Sequence, residues 1–378
     1  MSIIHYYEHS RIEHPDIIQT VTASSELQNY FAPDFGGVKS KQHCGLLHVN
    51  GQTHYILPKI AKDEHQNLHT FIYMLAYAHD FDLSNTDIGG SDNASLQMLE
   101  VLIALFAKEL LNQLQLGLYR EYVTFEENLQ TLRGKYLIDE NLRYNLTAHR
   151  IYCAFDEFSM DNQLNRFFLF AVKTLLGFTC KPKKLRLIEA IYDEVGYIRH
   201  DVERLTPPRF DRLSLRYKKS YDMAALLLKR LLPLFDRGER SFAFLFDMNE
   251  LFERFVGKMI MQIKPETQLQ KERNFGNLKL KPDIVLPELI IDTKYKLING
   301  REDISAADKY QMFTYGKNFQ ISQTMLLYPK YLLHVKDDLM LGKEEGVALM
   351  LRSVDLDFDG GYEGFIDNMK EEIKRAIS

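Results

Sequence analysis

The sequence predicts an α/β protein of the α+β kind, with a mixed sheet flanked by helices and a β-rich, then helical, region ahead of it. Three observations lead there. In the last third, apolar patterns follow the order helix, hairpin, strand, helix, strand, which suits a core built on a mixed sheet. The first sixty residues alternate short β-favouring runs with turn signals. Between these regions the apolar spacing is mostly helical. A chain of 378 residues is long enough for two domains, expected over residues 1–145 and 146–378.

Near the N-terminus, Asn50-Gly51 marks a hairpin between Leu46–Val49 and His54–Leu57, and Pro58 ends its second strand. Leu68–Ala78 reads as a helix. So does Ser95–Leu116, with Leu99, Leu102, Ile103, Phe106 and Leu110 on one face and Gly117 closing it. Ser159 is a candidate N-cap for the helix carrying Leu164, Phe167, Phe168, Val172 and Leu175. Breaks follow at Pro182 and at Thr206-Pro207-Pro208. Tyr221–Leu232 and Asp247–Ile263 read as helices leading into the hairpin of the last third.

Composition removes several function classes. The apolar fraction of 46% supports packed cores, and no apolar run approaches the length of a bilayer span. No basic segment followed by an apolar one opens the chain, and Cys44, Cys153 and Cys180 are scattered, so a cytoplasmic protein with reduced thiols is expected. Phosphate-cradling and dinucleotide glycine motifs are missing, so no nucleotide is expected on this chain, and no nucleophile elbow is present. Nine of twelve histidines precede residue 80, and His65 and His69 share a helical spacing, but no partner stands at a zinc-like interval. The net charge of −5 is unusual for a protein that grips DNA unaided. Basic clusters at Lys181, Lys183, Lys184 and Arg186, and at Arg209, Arg212, Arg216, Lys218 and Lys219, suit either a phosphate track or ordinary solvated surface.

The chemistry concentrates after residue 280. Lys281-Pro282-Asp283 opens the strand Ile284-Val285-Leu286, Pro287-Glu288 supplies a turn, and Leu289-Ile290-Ile291 runs into Asp292-Thr293-Lys294. Residues two apart on a strand share a face, so Asp292 and Lys294 project together. With Asp283 they bring two carboxylates and one ammonium to the end of a hairpin. That set can hold Mg²⁺ through oxygen ligands and place a cation beside a phosphate undergoing hydrolysis. The same pattern also fits a surface ion pair, and the sequence has one other acid-x-Lys triplet, Glu372-Ile373-Lys374, in a charged helical face. Glu253, on the helix ahead of the hairpin, could reach the metal or simply pair with Arg254 or Lys258. Gln311, four residues before Tyr315 on the following helix, could hold a phosphate or a water, or be an ordinary helix glutamine.

Blocks along most of the chain make it similar to the McrC family, the nuclease subunits of McrBC-type modification-dependent restriction systems. They are Leu57-Pro58-Lys59-Ile60, Arg133-Gly134, Asn141-Leu142-Arg143, Cys153 to Phe158 and Leu164-Asn165-Arg166, then Asp247-Met248-Asn249 with Leu251-Phe252-Glu253, Lys281-Pro282-Asp283, Asp292-Thr293-Lys294, and Asp308 with Tyr310-Gln311. The resemblance implies a restriction-endonuclease-like PD-(D/E)xK core. It makes Asp283 and Asp292 the metal-binding acids and Lys294 the catalytic lysine, with Glu253 (a further metal ligand) and Gln311 at accessory positions. Mg²⁺ is the implied cofactor, with Mn²⁺ able to substitute. The implied partners are a McrB-like AAA+ GTPase hexamer, which the N-terminal region would dock into and stimulate, and double-stranded, modified DNA. Two alternatives stand beside this reading: a non-catalytic adaptor of an AAA+ ring, and a stand-alone repair nuclease of the same fold.

Overall fold

A computed structural model describes residues 3–60, 64–83, 98–145, 149–234, 241–343 and 346–377. The chain divides into two compact units, one formed by residues 1–98 together with 230–378, the other by residues 99–229. This differs from the expected division at 145/146. The reason is non-local strand pairing. Ser241–Asp247 (β11) lies antiparallel to His43–Val49 (β5), joining segments some two hundred residues apart in one sheet.

The first unit contains two principal sheets. One has the order β1-β6-β5-β11-β10, where β1 is Ile3–Tyr7, β6 is Gln52–Leu57 and β10 is Leu231–Leu234. The hairpin expected at Asn50-Gly51 is present. Both residues have positive φ, 49° and 73°, which the tight turn between β5 and β6 requires. The small sheet β2-β4-β3 (Arg11–Ile12, Gly37–Ser40, Phe31–Asp34) and the helix Pro15–Ala23 (α1) complete this β-rich part. Ile17, Val21, Leu47, Val49, Ile56 and Leu245 pack in its core. The helix was not expected, because its nine residues offer just two fully buried positions, Ile17 and Val21.

The second sheet of this unit runs β12-β15-β16-β17-β19-β18. Ile284–Val285 (β15) and Leu289–Thr293 (β16) form the antiparallel hairpin. Gln323–Pro329 (β17) and Val347–Val354 (β19) extend it in parallel, Lys336–Leu341 (β18) closes one edge and Gln268–Leu269 (β12) the other. Every residue of β16 is buried, which accounts for its unbroken apolar run; alternation would signal one solvated face. The helices Met248–Ile263, capped by Asp247, and Ala306–Phe319, capped by Ser305, lie before and after the hairpin as expected. Two further helices, Glu64–Ala78 and Tyr362–Ile377, also belong to this unit. The helix expected from Ser95 is described from Met98 to Gln115, with Ser95 itself outside the described residues. The side chain of His65 is likewise outside them.

The second unit carries the sheet β7-β9-β8 (Glu121–Leu129, Ile151–Ser159, Lys135–Tyr136) and the helices Ile138–Tyr144, Gln163–Leu175, Lys183–Ile191 and most of Lys218–Arg230. The cap of Gln163–Leu175 is Asn162, whose side chain accepts from Asn165 N at 3.0 Å. Ser159 instead ends β9, and its hydroxyl accepts from Asp161 N. Cys44 and Cys153 are buried, Cys180 is exposed, and all three are free thiols. No described helix is long and apolar enough to cross a membrane.

Candidate active site

The hairpin β15–β16 positions the two acids by register. Ile284 pairs with Ile291 and Val285 with Ile290, so one further step outward sets Asp283 opposite Asp292. Opposed residues of an antiparallel pair stand about 5 Å apart at Cβ. Asp283 is then fixed by its neighbour: Thr293 N and Oγ1 both donate to its Oδ2, at 2.8 and 2.9 Å. Gln270 N donates to the Asp283 carbonyl at 2.7 Å, locking the backbone where the strand begins.

Asp292 is 2% exposed. Lys294, two residues on and on the same face, places Nζ 2.5 Å from Asp292 Oδ2. The ammonium is the immediate counter-charge of this buried oxygen. Burial pushes the Asp292 carboxyl up to about 7, with the Asp283 charge adding to that and Lys294 opposing it. Burial raises Asp283 too, against the lowering effect of the two Thr293 donors. Burial works against the Lys294 charge, but Asp292, Asp308 and Asp283 outweigh it and its pKa is raised.

The helix Ala306–Phe319 supplies a second layer. Lys294 Nζ donates to Gln311 Oε1 at 3.1 Å, while Gln311 Nε2 donates to Tyr315 Oη at 2.9 Å and reaches Asp292 Oδ1 at 3.4 Å. Tyr315 Oη in turn donates to the Lys281 carbonyl at 3.3 Å. Asp308, in the first turn of this helix, has Oδ2 3.1 Å from Lys296 Nζ and Oδ1 3.9 Å from Lys294 Nζ. Thus Gln311 is no ordinary surface glutamine here. Asp308 and Tyr315 are members of the cluster that the spacing alone did not single out as site residues; the available signals were the Gln311–Tyr315 interval of four and the place of Asp308 in a family block with Tyr310-Gln311.

Glu253 occupies the other side. It is half-buried on Met248–Ile263, accepts from Gln270 Nε2 at 2.6 Å, and lines an open cleft of about 490 Å³ with Asp283, Gln270 and Lys258. Burial raises its pKa, and the Asp283 charge contributes in the same direction. Arg254 and Lys258, the partners it would have as a plain surface acid, are engaged elsewhere: Arg254 with the Ala78 carbonyl, Lys258 with the Tyr77 carbonyl and Asp80.

Among the described residues no three His, Cys, Asp or Glu side chains already converge as a metal cage, either here or among the N-terminal histidines. The acid pair nonetheless fits Mg²⁺. It offers oxygen donors alone, and Lys294 is one cation against the neighbouring charges of Asp283, Asp292 and Asp308. Mg²⁺ commonly takes one or two carboxylates and keeps several waters. A stability test of this balance follows. In metal-free protein, the folded state holds Asp292 at a higher pKa than the unfolded chain. Folding therefore bears a cost above pH 7 that is relieved as pH falls from 7 towards 3.8, because the folded state takes up the proton first. Asp292→Asn is expected to be more stable than wild type by on the order of 2 kcal/mol at pH 8. The gap should close towards pH 4 in metal-free thermal melts; a variant less stable at both pH values would show that the Lys294 pair dominates.

Comparison with known proteins sharpens these observations. A family model described as the McrBC 5-methylcytosine restriction system component matches residues 38–329. No curated protein matches the sequence. Among solved structures, the fold is similar to a chain of the Thermococcus gammatolerans assembly of McrB AAA+ hexamers with bound McrC, at TM-score 0.65 and 21% identity, covering 99% of this chain and 100% of that one. It is also similar to a chain of the Thermococcus gammatolerans McrBC complex, at TM-score 0.51 and 24% identity, covering 69% and 88%.

Proposed function

The chain belongs to the McrBC family, and from that premise we propose that it is the cutting subunit of a modification-dependent restriction complex: a Mg²⁺-dependent DNA endonuclease that acts with a McrB-like AAA+ GTPase and stimulates its GTP hydrolysis. The observation that carries the reading is the half-buried Asp283 set opposite the buried Asp292, with Lys294 held between Asp292 and Gln311. A retired nuclease fold serving as a mere adaptor has no need to keep an acid pair buried at this cost, so the intact cluster weighs against that alternative.

In this reading Asp283 and Asp292 hold the metal, and Glu253 faces the same cleft for a direct or water-mediated contact. Bound Mg²⁺ polarises the scissile phosphate and lowers the pKa of a coordinated water. Lys294 has a second acceptor in Gln311 Oε1, so its ammonium stays oriented when Asp292 is engaged elsewhere. From there it stabilises charge developing on the phosphate oxygens or steers the attacking water. Tyr315 fixes Gln311, and Asp308 gives Lys294 and Lys296 a common counter-charge.

The partner half of the proposal rests on the similar structures, which come from complexes of McrB with McrC, and on the second unit. Tyr122 of β7 and Phe158 of β9 stand opposite one another in register, their rings 5.2 Å apart, and remain 75% and 51% exposed. Leu132, Ile138, Leu142 and Tyr144 nearby in sequence are exposed as well. Apolar exposure on this scale commonly marks a protein interface, and a McrB-like ring is the proposed occupant. Reconstitution tests the whole. The chain, combined with a McrB-like AAA+ GTPase, GTP and Mg²⁺, should cleave a methylated plasmid; no cleavage across a range of modified substrates would overturn the reading.

A further inference from the structure

A second cleft, of about 480 Å³, opens beside the candidate catalytic strand and is assigned no role above. It is lined by Glu8, His9 and Ser10 from the end of the first strand, Lys59 after β6, and Tyr295 and Lys296 immediately after Lys294. Its one acid is turned inward. Glu8 is 6% exposed and accepts from Tyr295 Oη at 2.6 Å and Lys59 N at 2.9 Å, with Cys44 Sγ at 3.8 Å. Cations hold the mouth: Lys59 is exposed, and the Lys296 side chain is 52% exposed. Lys294 is matched first by Asp292, while Lys296 meets Asp308 at 3.1 Å from an exposed position at the mouth of this cleft.

Position supplies the ligand. The backbone at Lys294 is pinned to β17 through Lys294 N and the Leu327 carbonyl, and Lys296 N donates back to the Lys294 carbonyl. Two residues of chain span at most about 7 Å. Successive phosphates on one DNA strand advance about 3.4 Å along the axis. A phosphate beside Lys294 therefore puts its neighbours, one or two nucleotides along, within reach of Lys296. We propose that this cleft is a DNA-backbone site in which Lys296 and Lys59 neutralise phosphates flanking the scissile bond, with the inward-turned Glu8 keeping the wall formed by residues 8–10, Lys59 and Tyr295 in place. The inference rests on the nuclease reading and adds to it where the substrate strand runs.

The test is binding of a fluorescent 30-base-pair duplex to the full-length chain in EDTA, by anisotropy, over 20–150 mM KCl. Lys59→Gln and Lys296→Gln should each weaken binding several-fold at low salt and flatten the slope of log K against log salt by about 0.9, the double variant by about twice that. Both lysines are exposed, so folding should be retained, with circular dichroism as the check. Lys374→Gln, on the C-terminal helix, should change neither affinity nor slope. An unchanged slope in the double variant overturns the proposal, as does a wild-type chain that binds no duplex at 20 mM salt. Failure of this inference is separable from failure of the function. If the reconstituted wild type cleaves DNA while the double variant keeps the full salt slope, the cleft alone is wrongly assigned.

Discussion

Asp292→Ala and Lys294→Ala should each reduce DNA cleavage by at least about 10²–10³-fold in the reconstituted complex, while partner GTP hydrolysis stays within about twofold of wild type. Asp292 is the deepest group of the cluster, and its removal takes away the proposed metal ligand together with the counter-charge that seats Lys294. Lys294 is irreplaceable for a different reason. Lys296, two residues on, is directed to Asp308 and to the neighbouring cleft. Arg at 294 should rescue poorly, because the pocket formed by Asp292 Oδ2 and Gln311 Oε1 accepts a compact ammonium and a planar fork needs more room. Retained cleavage in both alanine variants, measured with Mg²⁺ and the partner present, would remove the basis of the catalytic assignment.

The reverse dissociation is expected in the second unit. Tyr122→Ser combined with Phe158→Ser should abolish stimulation of the GTPase and, with it, driven cleavage, a loss of about tenfold or more. The two rings form a pair on paired strands, and large aromatic side chains of this kind are the residues that most often dominate interface energetics. Because both are exposed, their loss should leave folding intact. Mn²⁺ binding by calorimetry should match wild type, since the acids lie in the other unit. Full GTPase stimulation by the double variant would move the docking surface elsewhere.

Where sequence and structure agree, the cause is local physics. The Asn50-Gly51 turn, the buried strand Leu289–Ile291 and the capped helices around the hairpin are each set by residues within a few positions of one another. Asp292 and Lys294 meet because strand periodicity makes them meet, and Asp283 joins them through a two-residue ladder. What was not legible depends on distant pairing. Nothing near Ser241–Asp247 announces that it completes a sheet begun at His43, and the division of the chain follows from that one ladder. The expected helix Tyr221–Leu232 takes in Leu231 and Leu232 because they continue the apolar helical run; strand pairing with β11 decides the matter. Asp308 escaped notice as a site residue because its relation to Lys294 and Lys296 exists only once helix Ala306–Phe319 lies against the strand end.

The discontinuous first unit sets the order in which the chain can fold during synthesis. Domains usually fold as they leave the ribosome, from the N-terminal end onward. Here the opening hairpin must wait for Ser241–Asp247 before its sheet is complete, and Glu8 must wait for Tyr295 before its carboxyl is satisfied. The residues between, 99–229, can reach a compact form first. A ribosome that stalls before Asp292 releases a chain with no acid pair, and one that stalls before Val347 releases a sheet without the strand beside β17. The proposed acid pair thus comes together only after Ser241–Asp247 and the strands that follow it have been made.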